Sequence, residues 1–372
     1  MNILYVSSPI SSSYAGGERF VDNLTSHFPK EKHIFLGSSQ ALFDLFKKKG
    51  YEAHKMNLPL YEPVTKKNLL LSPISFISGL VYLFKYRQII NQADLIVTPT
   101  SFCEIFFVLP WLSIFTKKKI LIISQNDARA VFINPLKFIV KFMIQRHSNV
   151  LVSETSKKTW AKYGLVSDKT VIIPHGVPIS DLNPVDGSIS PEKLTFGFLA
   201  RMHKEKGVET LLKALPLLKN TTTPIEFVLG GDGPHLQEFK NLADSLDIPK
   251  NVKLTWKGFV SDTKSFYDQL DLFVFPSRKE TFGLVVVESW ERGVPALCSD
   301  LEILYEIKNQ ASELEQKLMF KLDDSGDLAL AMDRFISSSD KFLNRQNRQK
   351  LHDLVKSRFS LSNLDKYQSF WK

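Results

Sequence analysis

Two glutamates eight positions apart, Glu280 and Glu288, bracket the run Thr281-Phe282-Gly283-Leu284-Val285-Val286-Val287. Before them, Leu272-Phe273-Val274-Phe275-Pro276-Ser277 reads as a short buried strand closed by Pro and Ser. After them, Arg292-Gly293-Val294-Pro295 supplies a cation, a glycine and a proline, which together stop a helix. The order is therefore strand, loop with Glu280, glycine turn, and helix carrying Glu288. A helix opening at about Gly283 leaves its first amides without intrahelical partners and aimed back at the Glu280 loop, where they favour an anion. Glu288 then falls roughly one and a half turns into the helix. Such an arrangement would hold an anionic ligand end-on, with a carboxylate on either side. A carboxylate among valines is costly without a partner, and a hydroxyl-rich ligand would supply one. The plainer alternative is a helix glutamate turned to solvent.

A second group is basic. Arg201-Met202-His203-Lys204-Glu205-Lys206-Gly207 follows an apolar run ending at Ala200 and precedes a helical pattern. Arg201 and Lys206 would clamp a diphosphate, one as a planar fork and the other as a point charge. An ordinary helix-flanking basic loop is the alternative. Gly16-Gly17-Glu18-Arg19 opens a helix after the first strand and lets a ligand approach the backbone, but it lacks the spacing of a dinucleotide fingerprint. Gly230-Gly231-Asp232-Gly233-Pro234 reads as a tight strand-to-helix turn. His175, in Pro174-His175-Gly176-Val177-Pro178, is as readily structural as ligand-facing.

These groups need elements to position them. In the first half, Ile3–Val6, Ile34–Leu36, Leu95–Val97, Ile120–Ile123, Val150–Val152 and Val171–Ile173 read as buried strands separated by helical stretches, hence a parallel sheet. Pro178–Pro191 reads as a linker. A second series follows: strands at Leu194–Ala200, Ile225–Leu229, Val252–Trp256, Leu272–Phe275 and Ala296–Cys298, with helices such as Val208–Leu218 between them. The expectation is α/β: two Rossmann-like, doubly wound domains facing across a cleft, with ligands at the carboxyl ends of the strands. Domain boundaries are expected at 1–180, 181–350 and 351–372, the last a helix packing back on the first domain.

At 372 residues, 44% hydrophobic and 23% charged, the chain has the composition of a soluble two-domain protein. Its two cysteines, Cys103 and Cys298, lie in apolar surroundings, which suits a reducing cytoplasm, and no Cys/His spacing suggests a zinc site. The net charge of +9 is uneven: residues 1–185 hold 22 Lys+Arg and 12 Asp+Glu (+10), leaving 26 and 27 (−1) for the rest. The first-half excess clusters at Lys47-Lys48-Lys49, Lys66-Lys67, Lys117-Lys118-Lys119 and Lys157-Lys158. Solvated loops would account for it; so would a face drawn to anionic lipid. Leu69–Phe84 is apolar but interrupted by Pro73 and Gly79, a poor membrane span, and Pro135–His147 mixes bulky apolar residues with cations like an interfacial helix. Nothing resembles a nucleic-acid reading motif.

Taken in order, Gly16-Gly17-Glu18, His175-Gly176-Val177, Arg201 to Gly207, Gly230 to Pro234, Gly258-Phe259-Val260 and Glu280 to Glu288 resemble the retaining glycosyltransferases of family 4, which have the GT-B fold. The resemblance spans most of the chain and is densest between about 170 and 300. It implies transfer of a sugar from a nucleotide diphosphate sugar, UDP- or GDP-linked, with retention and without a required metal or other cofactor. It assigns Arg201 and Lys206 to the diphosphate, Glu288 to the ribose hydroxyls and Glu280 to the transferred sugar. The amides of Phe282, Gly283 and Leu284 would meet phosphate or sugar, Gly258 and Val260 would line the donor site, and Gly17 would approach the diphosphate. On the acceptor side it implies Asn126, Asp127 and His175, with Asp127 a catalytic candidate in place of a histidine common in that family. Asp300-Leu301-Glu302 to Glu306 stands where the family usually has Gly-Gly-x-x-Glu. The expected protein is peripheral to the inner face of the plasma membrane and extends a lipid-linked glycan in cell-surface polysaccharide or lipopolysaccharide assembly. A nucleotide-sugar 2-epimerase and a catalytically silent partner subunit are the alternatives.

Overall fold

The computed structural model describes residues 1–7, 16–56, 72–99, 104–124, 137–181, 193–219 and 222–371. They form two compact units: Met1–His175 together with Leu361–Lys372, and Gly176–Ser360.

Unit 1 holds a seven-stranded, wholly parallel sheet in the order β3-β2-β1-β4-β5-β6-β7. The strands are β1 (Asn2–Ser7), β2 (Lys32–Gly37), β3 (Glu52–Lys55), β4 (Leu95–Pro99), β5 (Lys119–Ser124), β6 (Ser148–Leu151) and β7 (Thr170–Ile172). A strand buried on both faces must be apolar on both, and β1 is. Ile3 and Tyr5 join a core with Phe20, Val21 and Leu24 of helix α1 (Gly16–His27) and with Phe46 of α2 (Gln40–Lys48). Leu4 and Val6 join the opposite core beneath α3 (Ser72–Lys85), α4 (Leu109–Phe115) and α5 (Lys137–Arg146). β3, Glu-Ala-His-Lys, has no apolar run and was not among the expected strands. It pairs with β2 at the sheet edge, where one side needs no burial.

Unit 2 repeats the scheme with six parallel strands, β10-β9-β8-β11-β12-β13. They are β8 (Leu194–Leu199), β9 (Ile225–Gly230), β10 (Val252–Gly258), β11 (Leu272–Phe275), β12 (Ala296–Ser299) and β13 (Met319–Phe320). The expected helix over 208–218 ends at Ala214 and tightens into a 3₁₀ turn, Leu215–Leu217, because Pro216 cannot continue the α pattern. Helix Arg345–Arg358 belongs to unit 2, where the His352 ring donates to the Glu291 carbonyl at 2.6 Å. The segment that joins unit 1 starts at Leu361, later than the expected 351. It adds Leu364 and Tyr367 to the core and sets Trp371 4.3 Å from Phe28, ring to ring.

Candidate functional site

β8 and β11 are hydrogen-bonded neighbours, and the winding of unit 2 reverses between them. At such a reversal the loops leaving the two strands diverge and open a crevice at their carboxyl ends. The β8 loop makes a 3₁₀ turn, Lys204–Lys206, closed by Gly207 at φ +69°. A Cβ on Gly207 would lie 1.8 Å from the Pro276 carbonyl oxygen, so only glycine lets the β8 loop cross the start of the β11 loop. That crossing puts Lys206 Nζ 2.6 Å from Glu280 Oε1. The two side chains are 25% and 12% exposed, shielded from bulk water yet reachable by a ligand.

The pair is held from below. Ser277 Oγ lies 3.0 Å from the same Glu280 oxygen, and Ser299 Oγ at the end of β12 donates to the Ser277 carbonyl at 2.5 Å. Arg278 fixes the other partner. Its backbone amide donates to the Glu205 carbonyl at 2.8 Å, its guanidinium to the Lys204 carbonyl at 2.7 Å, and the same guanidinium is anchored by Glu209 and Asp323 at 3.0 and 2.5 Å.

Beyond the loop, helix α6 (Leu284–Glu291) begins after Gly283, which caps it at φ +96°, and no side chain caps this start. Glu288 is half-buried and accepts from the Tyr267 hydroxyl at 3.3 Å. Phe282 is buried with its ring 6.1 Å from that of Phe359, so its side chain packs in the core. Arg201 is exposed at the end of β8. Burial, and then the Arg201 charge, lower the pKa of nearby His203. The turns after β9 and β10 meet where the Gly231 amide donates to the Gly258 carbonyl at 2.7 Å, with Val260 half-buried beside Gly230.

In unit 1, Gly17 sits in the first turn of α1 beside buried Glu18. His175 is buried with its ring 5.1 Å from that of Phe20, and burial pushes its pKa down to about 4, so near neutral pH its ring is uncharged. Asn126 and Asp127 lie outside the described residues, as does Cys103. Cys298 is a buried core thiol whose pKa burial raises to about 12. Among the described residues no group of three His, Cys, Asp or Glu is placed to hold a metal ion.

The structure thus brings Lys206 and Glu280 into direct contact, a pairing across 74 positions that the sequence reading did not contain. It also adds Ser277, Arg278, Ser299 and Tyr267. Ser277 and Arg278 carried a signal, the Pro-Ser-Arg-Lys run that closes β11; Ser299 and Tyr267 carried none.

Residues 181–352 match the family model for glycosyl transferases group 1. Over 123 residues the chain is 30% identical to the O-antigen biosynthesis glycosyltransferase WclY of Escherichia coli, covering 33% of each chain. Over 186 residues it is 27% identical to the alpha-monoglucosyldiacylglycerol synthase of Streptococcus pneumoniae, covering 46% of this chain and 42% of that one. The matches thus span a third to under half the length of these relatives. Among solved structures, Anabaena Alr3699/HepE in complex with UDP and glucose superposes with a TM-score of 0.76 at 16% identity, over 99% of this chain and 98% of that one. The lipopolysaccharide outer core galactosyltransferase WaaB, in its apo form, gives 0.72 at 13%, over 100% and 99%. Two parallel doubly wound sheets with such neighbours define the GT-B fold. The similarity to the group 1 glycosyl transferases lies in residues 181–352, most of unit 2.

Proposed function

We propose that this protein is a retaining glycosyltransferase of family 4 that moves a sugar from a nucleotide diphosphate sugar to a lipid-linked glycan, in cell-surface polysaccharide or lipopolysaccharide assembly. The observation that carries the reading is the Lys206–Glu280 pair at the β8/β11 reversal, with Arg201 at the end of β8 and an uncapped helix carrying Glu288 after the β11 loop. The roles of WclY, in O-antigen biosynthesis, and of WaaB, in the lipopolysaccharide outer core, point the same way. The UDP complexes of HepE favour a UDP-linked donor.

In the reaction the bond from the anomeric carbon to the diphosphate oxygen breaks, a bond to the acceptor hydroxyl oxygen forms on the same face, and the hydroxyl proton passes to the departing diphosphate. Negative charge develops on the departing diphosphate. Arg201 and Lys206 would meet it as preset cations, with the amides of Phe282, Gly283 and Leu284 adding donors. Glu280 neutralises Lys206. A bound diphosphate would take that place, leaving the Glu280 carboxylate to accept from a sugar hydroxyl. Glu288, steadied by Tyr267, would accept from the ribose hydroxyls. Gly258 and Val260 would line the donor site, and Gly17, Asn126, Asp127 and His175 remain candidates for the diphosphate and acceptor sides. The protein would work at the inner face of the plasma membrane, drawn to anionic lipid by its basic first half.

Release of nucleotide diphosphate from a panel of UDP- and GDP-sugars, with a lipid-linked acceptor fraction, tests this. Lys206→Ala should cut kcat about 10²–10³-fold, as removal of a preset charge-stabilising donor does. Glu288→Gln should mainly raise the donor KM. Wild-type rates in both variants would sink the assignment, and a product of inverted anomeric configuration would sink retention.

A further inference from the structure

The helices α3, α4 and α5 lie side by side over one face of the unit 1 sheet and bury Tyr82, Leu109, Leu112, Val140 and Met143 against it. Their outward sides are also apolar. Ile74, Ile77, Val81 and Phe84 recur on α3 at steps of three, four and three, Ile114 and Phe115 end α4, and Phe138 and Phe142 stand four apart on α5. All eight are between 44% and 64% exposed. Among the described residues, eight of the fourteen exposed large apolar side chains fall on these three helices, whereas α1 and α2, on the opposite face, carry none. Soluble monomers rarely gather so much apolar surface without a partner.

The charge on this face says what the partner is. The three helices contain no Asp or Glu, but they carry Lys85, Lys137, Lys141 and Arg146, with the Arg146 guanidinium 6.0 Å from the centre of the Phe142 ring. Aromatic and aliphatic side chains interleaved with cations fit an anionic bilayer, where rings enter the acyl boundary and cations stay among the head groups. No helix among the described residues is long and apolar enough to cross a membrane, so α3 would lie along the surface. Lysine clusters elsewhere are partly used inside the protein. Lys49 bonds to Asp22, Thr25 and Ser26, and Lys118 to the carbonyls of Asn91 and Ala93.

We propose that the outer sides of α3, α4 and α5 form an insertion face for an anionic lipid surface, with Ile77, Phe84, Phe138 and Phe142 entering the bilayer. The proposal deepens the membrane part of the function above and stands independently of sugar transfer. Flotation of the full chain with phosphatidylglycerol/phosphatidylcholine vesicles, against pure phosphatidylcholine, tests it. Phe84→Glu/Phe138→Glu should weaken partitioning at least tenfold at unchanged melting temperature. Lys47→Glu/Lys48→Glu, on α2, should change it less than twofold. Equal binding by the first variant, or equal loss by the second, would overturn the proposal. So would a vesicle-free wild-type dimer that the Phe84→Glu/Phe138→Glu variant dissociates, because the face would then join two copies. Sugar-nucleotide turnover in the same samples separates the two readings. A wild type that floats but never turns over leaves the face standing and counts against the transferase.

Discussion

In unit 2 the loops at the carboxyl ends of β8, β11 and β12 are tied to one another by charged and hydroxyl groups, from Arg278 to Ser299. Below them Lys308 and Glu315, 1% and 3% exposed, join at 2.7 Å, and the same carboxylate oxygen accepts from Trp290 Nε1 and the Ala296 amide. In unit 1 the comparable pair, Lys49 with Asp22, is a fifth to a third exposed, and the unusual surface is apolar. The same winding therefore serves two ends. One sheet holds a fixed polar edge, and the other is a platform whose helices turn greasy sides outward. A parallel sheet alone does not tell which.

The sharpest way to break this contrast is to remove one lysine from each unit. Lys308→Met strands a buried carboxylate and should cost about 3–5 kcal/mol. Lys49→Met, partly solvated, should cost about 1 kcal/mol. Hydrogen exchange against denaturant reads both, and equal losses would erase the distinction.

Acid should separate the units next. Burial lowers His33, His147 and His175 in unit 1, the latter two to about 4. The unfolded chain binds these protons more readily, so their contribution is present above pH ~6.5 and is lost as pH falls towards 4. For His175 the full swing approaches about 3 kcal/mol. In unit 2, Glu226 is lowered to about 2 by its bonds to Lys193 and Thr255, so its contribution holds above pH ~4.5 and is lost only below that. Exchange protection in unit 1 should therefore weaken first on acidification, and His175→Phe should flatten that dependence.

Gly207→Ala, strained at positive φ and pressed on the Pro276 carbonyl, should cost about 1–3 kcal/mol and loosen Lys206, so donor turnover falls with stability. Smallest is Tyr267→Phe. Losing one long hydrogen bond to Glu288 should weaken donor binding by about 1 kcal/mol, near fivefold by calorimetry, with no change in melting temperature.

How far the sequence was legible follows the range of each interaction. β1, β5 and β11 announce themselves because a strand buried on both faces must be apolar throughout. β3 does not, since an edge strand tolerates Glu-Ala-His-Lys, and β13 is only two residues long. The helix starting after Gly283 was readable from local capping and stop signals. That Lys206 meets Glu280 was not, because the contact depends on β8 lying beside β11, a fact of topology. Arg278 illustrates the same limit: its basic run was visible, but its side-chain partners come from two distant stretches, Lys204 to Thr210 and Asp323.

The segment from Leu361 onward bears on the order in which this protein is made. Unit 2 is one uninterrupted stretch, whereas unit 1 needs Leu364 and Tyr367, made only after all of unit 2, to complete the core begun by Ile3 and Tyr5. The unit begun first is thus completed after the other. A chain truncated after Ser360 should resist a protease pulse in unit 2 while the sheet of unit 1 stays vulnerable.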